Sequence, residues 1–412
     1  RLPEPGRAGD VRLREVVRRM TGGPDAGDPR ALAPTASPEA LPLLRAEHDA
    51  VLHGAALLEA PWEALLTIDG PEAEEFLQGL LTQDIAGLAE GRTAPAALAD
   101  RKGHWTADLW VHRTPGRFRL RLRRDRVAAV IDVFERHLFS TRAHWRVVED
   151  RSAFLLLGPA APAALRATGV DIEEGRREGG ELEPLARGEW LRVRDTGPTD
   201  LVLHIHPEDA EAARAGLAAT PAHPRPVAWD AYNLARIEAG TPWHGLDGDE
   251  DRIVPEVVPA DRISLRKGCY LGQETIARVH YRGQVRRVLA RLRLEGTALP
   301  AVGTELFTAD GRPAGTLRSA ALHPDGGVIA LALRTLAPLA GPAVGGAPAP
   351  GSTASPAAAA SAGGTASTGA AGERKPAAEG MRAAGATDWV RLADGTPGRW
   401  LPAMSTDPRE LP

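Results

Sequence analysis

Ten residues, Arg266-Lys267-Gly268-Cys269-Tyr270-Leu271-Gly272-Gln273-Glu274-Thr275, concentrate the scarcest chemistry of the chain. They hold its single cysteine, one of three tyrosines and one of three lysines, against 47 arginines. A thiol reacts as its thiolate, and Arg266 and Lys267 are basic neighbours able to lower the pKa of Cys269. Gly268 and Gly272 permit backbone shapes closed to other residues and close approach to a ligand. Gln273 and Glu274 supply an amide and a carboxylate for a polar ring. The same letters also describe a glycine-kinked turn around a buried, inert cysteine. A nucleophilic Cys–His pair is a further reading, but nothing in the spacing selects a partner from the 12 histidines.

Composition narrows the setting. One cysteine excludes an internal disulfide and a metal cluster held by this chain's cysteines alone, which suits a reducing cytosol. The 412 residues are enough for two or three domains, with 43% hydrophobic and 25% charged residues, as in globular proteins. The net charge of −4 argues against a globally basic nucleic-acid surface. No apolar run reaches membrane-spanning length, and the first twenty residues do not read as a secretory signal. The expected location is the cytoplasm.

Several elements must position the ten residues. Residues 1–45 are rich in Pro, Gly, Ala and Arg and read as a loosely ordered leader, with one short helix near Val11–Met20. Residues 46–260 read as an αβ region of two subdomains. In the first, 64–70 is an apolar strand closed by Gly70-Pro71, and 71–81 a helix with Phe76, Leu77, Leu80 and Leu81 on one face. Strands at 93–100 and 104–113 meet in a turn at Arg101-Lys102-Gly103. In 117–124, Phe118, Leu120 and Leu122 alternate with arginines. Asp125 is a candidate N-cap for the helix that follows, with Val127, Val130, Ile131, Phe134 and Leu138 inward. A second αβ unit runs from about Phe154 to Ala222, and a helix near Ala228–Ala239 leads into an acidic, Gly-rich loop. Residues 261–340 carry the ten-residue stretch and then short strands with Asp-Gly and Gly-Gly turns, the pattern of a small antiparallel barrel. Residues 341–387 are a low-complexity Ala/Gly/Ser/Pro insertion, unable to bury enough apolar surface to hold one conformation. Residues 388–412 read as a returning strand and tail.

Lys267-Gly268-Cys269-Tyr270-x-Gly272-Gln273-Glu274 resembles the signature K-G-C-Y-x-G-Q-E of the YgfZ-type folate-binding proteins, relatives of the aminomethyltransferase (T-protein) of the glycine cleavage system. Residues 70–85, 235–247 ("ARIEAGTPWHGLD") and 310–320 resemble further stretches of that family. The resemblance covers roughly residues 50–335 and 388–402. It implies an α+β fold, a three-subdomain ring of the aminomethyltransferase folate-binding type with a C-terminal antiparallel β-barrel. It implies tetrahydrofolate as the bound cofactor, and a role in assembly or maintenance of iron–sulfur enzymes with an indirect effect on tRNA modification. The implied partners are a folate and iron–sulfur client or assembly proteins.

Residue roles follow the matching positions. Cys269, Lys267 and Asp108 are the candidate catalytic residues. Arg236, Glu238, Tyr270, Gln273 and Glu274 are the candidate cofactor-binding residues; no metal ligand is expected. An arginine at 236 suits a ligand carboxylate, because its fork holds one bidentately. Glu238 is placed to orient that arginine or bind a ring edge. Two departures separate the chain from the aminomethyltransferases. Their Asp-Asp pair is reduced to Ala107-Asp108, although aminomethyl transfer needs an acid near the reacting nitrogen. Their glutamate-bearing G-Y-T-G-E-D-G stretch is degraded to 195–201, with Asp200 a weak substitute. The alternative function is a tetrahydrofolate-dependent aminomethyltransferase or demethylase acting on a small amine. Nine basic residues against two acids between Asp261 and Arg293 suggest a polyanion contact, but few aromatics are interleaved, so direct RNA reading is not expected.

Overall fold

The computed structural model describes residues 38–138, 141–172, 177–282, 285–336 and 389–402. The leader helix expected near Val11–Met20 and the 341–387 tract lie outside the described residues. The leader is shorter than its composition suggests: helix α1 (Leu41–His53) already packs Leu44 and Val51 into the interior.

Strands β1 (Ala56–Glu59) and β2 (Glu63–Asp69) follow α1 but part company. β2 joins a five-stranded sheet with β3 (Thr93–Ala99), β4 (Trp105–Thr114), β5 (Arg117–Arg123) and β6 (His144–Val147), in the order β3-β4-β5-β2-β6. Helices α2 (Ala73–Leu80) and α3 (Val127–His137) cover one face of it. The alternation in β5 drives this packing, since Phe118, Leu120 and Leu122 all enter the core that α2 and α3 close, where the Phe76 and Phe134 rings meet edge-on at 5.3 Å. Asp125 does not cap α3. Its carboxylate turns back to Arg123 and Arg126, whose charged donors outcompete helix N–H groups.

β1 instead pairs with β7 (Ser152–Leu157) in a second sheet. Its other strands are β8 (Gly179–Glu181), β9 (Gly188–Arg192), β10 (Leu201–Ile205) and β11 (Arg225–Pro226), in the order β11-β1-β7-β10-β9-β8. α4 (Ala161–Ala167) and α5 (Ala210–Ala218) cover its outer face through Leu165, Ala213 and Leu217. The inner face meets the first sheet across Leu65, Trp110, Leu155 and Val202, joined by Tyr232 and Trp243. Helix α6 (Trp229–Ala239) therefore sits at a junction, with Leu234 and Ile237 on its other side against the barrel.

After the short helix α7 (Val254–Val257), helix α8 (Gln273–Arg282) closes the ten-residue stretch. Strands β12 (Arg287–Leu294), β13 (Glu305–Thr308), β14 (Pro313–Leu322), β15 (Val328–Thr335), β16 (Trp389–Leu392) and β17 (Pro397–Trp400) form a closed barrel. The C-terminal segment thus contributes two strands where the sequence suggests one. β16 pairs with β13 and β17 with β12, and both edges of the sheet are satisfied. Val390, Leu392 and Trp400 point inward with Leu292 and Leu306.

Candidate functional site

The segment from Asp261 to Leu271 wraps the C-terminal end of α2. Thr82 Oγ1 donates to the Arg262 carbonyl at 2.6 Å, Gln83 Nε2 to the Asp261 carbonyl at 2.8 Å, and the Leu271 N–H to the Gly79 carbonyl at 3.0 Å. A helix leaves its last carbonyls without intrahelical partners, and Lys267 meets that of Gln78 together with two carbonyls just past the helix end. Its ammonium donates to the carbonyls of Gln78, Leu81 and Gln83 at 2.6, 2.6 and 2.8 Å. All three of its protons are engaged there, so Lys267 anchors the loop to α2 and is not a free cation for the thiol two residues on. Burial pulls its pKa down to about 8.

Tyr270 is the second anchor. Its ring lies 5.0 Å from the Lys267 ammonium and packs in a core of Ala97, Ala99, Trp105, Val257 and Ile276. Burial pushes the phenol up to about 12, and its hydroxyl is enclosed without a hydrogen-bond partner. Gly272, at φ +79°, presses against the turn between β3 and β4. Between these anchors Gly268 and Cys269 face solvent, and Cys269 is a free thiol. The reading of a buried, inert cysteine is therefore wrong. Gln273 is half-buried and Glu274 exposed at the start of α8. No hydrogen bond or ion pair among the described residues joins either to Asp108.

Asp108 sits on β4, on the strand face opposite the Leu109 and Val111 side chains of the α2/α3 core. Buried Arg262 reaches it, with Nη1 3.0 Å from Oδ1, and stacks 5.9 Å from the Trp110 ring. The contact is off the hydrogen-bonding direction, and Oδ1 is buried without an aligned donor. Burial raises the Asp108 pKa against the pull of Arg262 and Arg123. Arg123 in turn pairs with Asp125, donates to the His244 carbonyl at 2.7 Å and lies 4.3 Å over Trp243. The result is a carboxyl enclosed among aromatic faces and guanidinium groups. Arg262 thus links Asp108 directly to the segment that carries Cys269.

Arg236 and Glu238 require corrections. The Arg236 side chain is fully buried, and its guanidinium donates to Asp247 Oδ2 at 2.8 Å, the Thr241 carbonyl at 3.1 Å and Ser319 Oγ at 2.9 Å. Ser319 closes the triad on the other Asp247 oxygen. This guanidinium already holds a carboxylate of its own chain, so it is an internal tie between α6, the following loop and β14. Glu238 does not orient Arg236. Its two oxygens meet His48 Nε2 at 2.6 Å and His323 Nε2 at 3.0 Å, joining α1, α6 and the barrel. Asp200 is likewise occupied, accepting from the N–H groups of Thr196, Gly197 and Gly158. Nor is the basic tract one face: Arg262 and Lys267 are buried, and Arg291 and Arg293 donate to carbonyls of Glu238 and Gly326.

Sequence reasoning missed Arg262, Trp110, Trp243 and Asp247. Asp247 ends the stretch 235–247, singled out for its resemblance, and Arg262 opens the basic tract; neither carries a local sign of its partner.

Three sheets, the last a closed barrel, and a loop tying the first to the third define the class. Residues 30–186 match the family model of the GCVT N-terminal domain. The glycine cleavage system aminomethyltransferase T from Bartonella henselae has this fold, with a TM-score of 0.64 and 23% identity over 71% of this chain and 81% of that one. The tRNA-modifying protein YgfZ of Edwardsiella ictaluri is 31% identical over 270 residues, 64% of this chain and 79% of the relative. That of Klebsiella pneumoniae is 29% identical over 279 residues, 64% and 80%. The chain belongs to the YgfZ family.

Proposed function

We propose that this protein binds a tetrahydrofolate-type ligand beside Asp108 and, through Cys269, supports assembly or maintenance of iron–sulfur enzymes, one of which acts in tRNA modification. The observation that carries this reading is the presentation of Cys269. The chain's single thiol stands exposed on a loop held by Lys267 on one side and by Tyr270 and Gly272 on the other. A loop pinned so firmly displays its thiol in a fixed place, as a group meeting a ligand or partner requires.

The residues around Asp108 fit a folate. The buried Oδ1 without an aligned donor would accept from a donor on a polar ring edge. Trp110 and Arg262, both buried, form the wall behind Asp108. When bound, the ligand supplies a one-carbon carrier. Asp108 would hold the ring and Arg262 keep Asp108 oriented, while Arg236 serves the framework. The free single cysteine suits the cytoplasm. Among the described residues, no helix is long and apolar enough to cross a membrane.

One observation favours the second reading, a folate-dependent transferase or demethylase. Burial raises the Asp108 pKa, the direction a general acid needs. Two measurements decide. Calorimetric titration of the full chain with tetrahydrofolate, repeated on Asp108→Asn, should show binding that weakens in the variant; no binding by the wild type would leave a scaffold. Cys269→Ala should bind folate normally yet fail to restore iron–sulfur enzyme activity in cells lacking the protein. Restored activity would remove the thiol from the function. Folate-dependent turnover of a small amine, lost in Asp108→Asn, would establish the transferase.

A further inference from the structure

We propose that the cleft between the five- and six-stranded sheets binds a small phosphate-bearing anion through Arg124, Arg151 and His204. The cleft has a volume of about 330 Å³. Its walls come from the start of β2, from Arg124 just after β5, from the link Val148–Arg151 and from His204 on β10.

Three arginines of the neighbouring strand β5 are paired with carboxylates. Arg119 meets Glu189, Arg121 meets Glu63 and Asp195, and Arg123 meets Asp125. Arg124 and Arg151 are not: among the described residues neither has a carboxylate within ion-pair distance, their Nη groups donate to the carbonyls of Glu63 and Asp150 at 3.4 and 3.0 Å, and the Nε of each is buried without a hydrogen-bond partner. Glu63, the buried carboxylate of the cleft, cannot neutralise them, because Arg121 holds both its oxygens, at 2.6 and 2.5 Å. His204 is 1% exposed, and its Nε2 is also buried without a partner. Burial, reinforced by the charges of Arg121, Arg151 and Arg124, pulls the His204 pKa down to about 3, so the ring is neutral and adds a hydrogen-bonding group without adding charge.

Three residues lining one cleft thus each carry a buried polar atom without a partner, a local concentration that a bound acceptor would relieve. One guanidinium fork saturates a carboxylate; two guanidinium groups and an imidazole suit the several oxygens of a phosphate. Glu149 and Asp150 are exposed where Val148–Arg151 meets solvent. The bounded volume of about 330 Å³ admits a small ligand rather than an extended polyanion such as a nucleic-acid backbone. This site is separate from the Asp108 cluster, toward which Arg123, the neighbour of Arg124, turns.

Calorimetry of the full chain with inorganic phosphate, in a phosphate-free buffer, tests this. Saturable binding should weaken by about tenfold or more in Arg151→Gln and in Arg124→Gln, as expected for loss of a charged hydrogen bond. Acetate should bind more weakly than phosphate. Should Arg124→Gln fail to fold, Arg151→Lys gives the second test: it keeps the charge, removes the fork and should show intermediate affinity. No saturable phosphate binding by the wild type, or binding unchanged in the variants, would overturn the site. Acetate binding as tightly as phosphate would overturn the choice of ligand.

Discussion

Gly272 and Gly103 approach each other so closely that a Cβ added to Gly272 would stand 3.0 Å from the Gly103 Cα and 2.5 Å from the Asp100 carbonyl oxygen. Both have positive φ, +79° and +81°. The loop that displays Cys269 is thereby locked to the first sheet through backbone, where no side chain can yield.

Gly272→Ala should therefore destabilise the fold by about 1–3 kcal/mol from backbone strain alone, with the steric clash adding to it. Gly268→Ala is the control. A Cβ there meets nothing within 4 Å, and its effect should stay within about 0.5 kcal/mol. Denaturant midpoints measure both; equal midpoints for the two variants would refute the lock.

Arg236→Met should lower stability by about 3–5 kcal/mol, because it strands the buried Asp247 carboxylate. Adding Asp247→Leu should recover much of the loss. Folate affinity of whatever fraction stays folded should change little. A variant that kept its thermal midpoint and lost folate binding would return Arg236 to the ligand site.

His112 is buried with Nδ1 3.0 Å from Thr93 Oγ1, and burial lowers its pKa to about 4. As pH falls through 6.5 the unfolded chain takes up a proton that the native imidazole refuses until about 4. Its contribution is thus complete above 6.5 and is lost between 6.5 and 4, at about 1.4 kcal/mol per pH unit. His204 and His244 act in the same direction. The unfolding free energy of His112→Gln, measured from pH 7 to 5, should fall less steeply than that of the wild type, by about one proton's slope. Parallel curves would mean that the native imidazole titrates as it does in the unfolded chain.

Native protein should react with a thiol reagent at one equivalent, without denaturant, because its only cysteine is exposed. Cys269→Ala should leave the unfolding midpoint within about 0.5 kcal/mol of the wild type. Labelling that waits for unfolding would place the thiol inside.

Local pattern made much of the fold legible. The alternation of Phe118, Leu120 and Leu122, the spacing of Val127, Val130, Ile131 and Phe134, and the Asp310-Gly311 turn between β13 and β14 each report a face or a reversal set by neighbouring residues. Partner choice was not legible. Lys267 reads as a basic neighbour of Cys269, yet its partners are carbonyls 184 to 189 residues away, and a carbonyl leaves no trace in residue type. Arg236 reads as a ligand anchor for the same reason: a guanidinium fork suits Asp247 as well as any ligand carboxylate.

The chain order alone singled out the stretch 266–275, because a single thiol and one of three lysines stand out against 47 arginines. It also determined many strand and helix faces, since those follow from periodicities of two and 3.6 residues. Only the tertiary structure decided that β1 leaves β2 to pair with β7 and that Arg262 is the counterion of Asp108. It alone left Arg124 and Arg151 without carboxylates while their neighbours are paired. Those choices depend on which groups burial brings together and strips of water, a quantity that no stretch of sequence contains by itself.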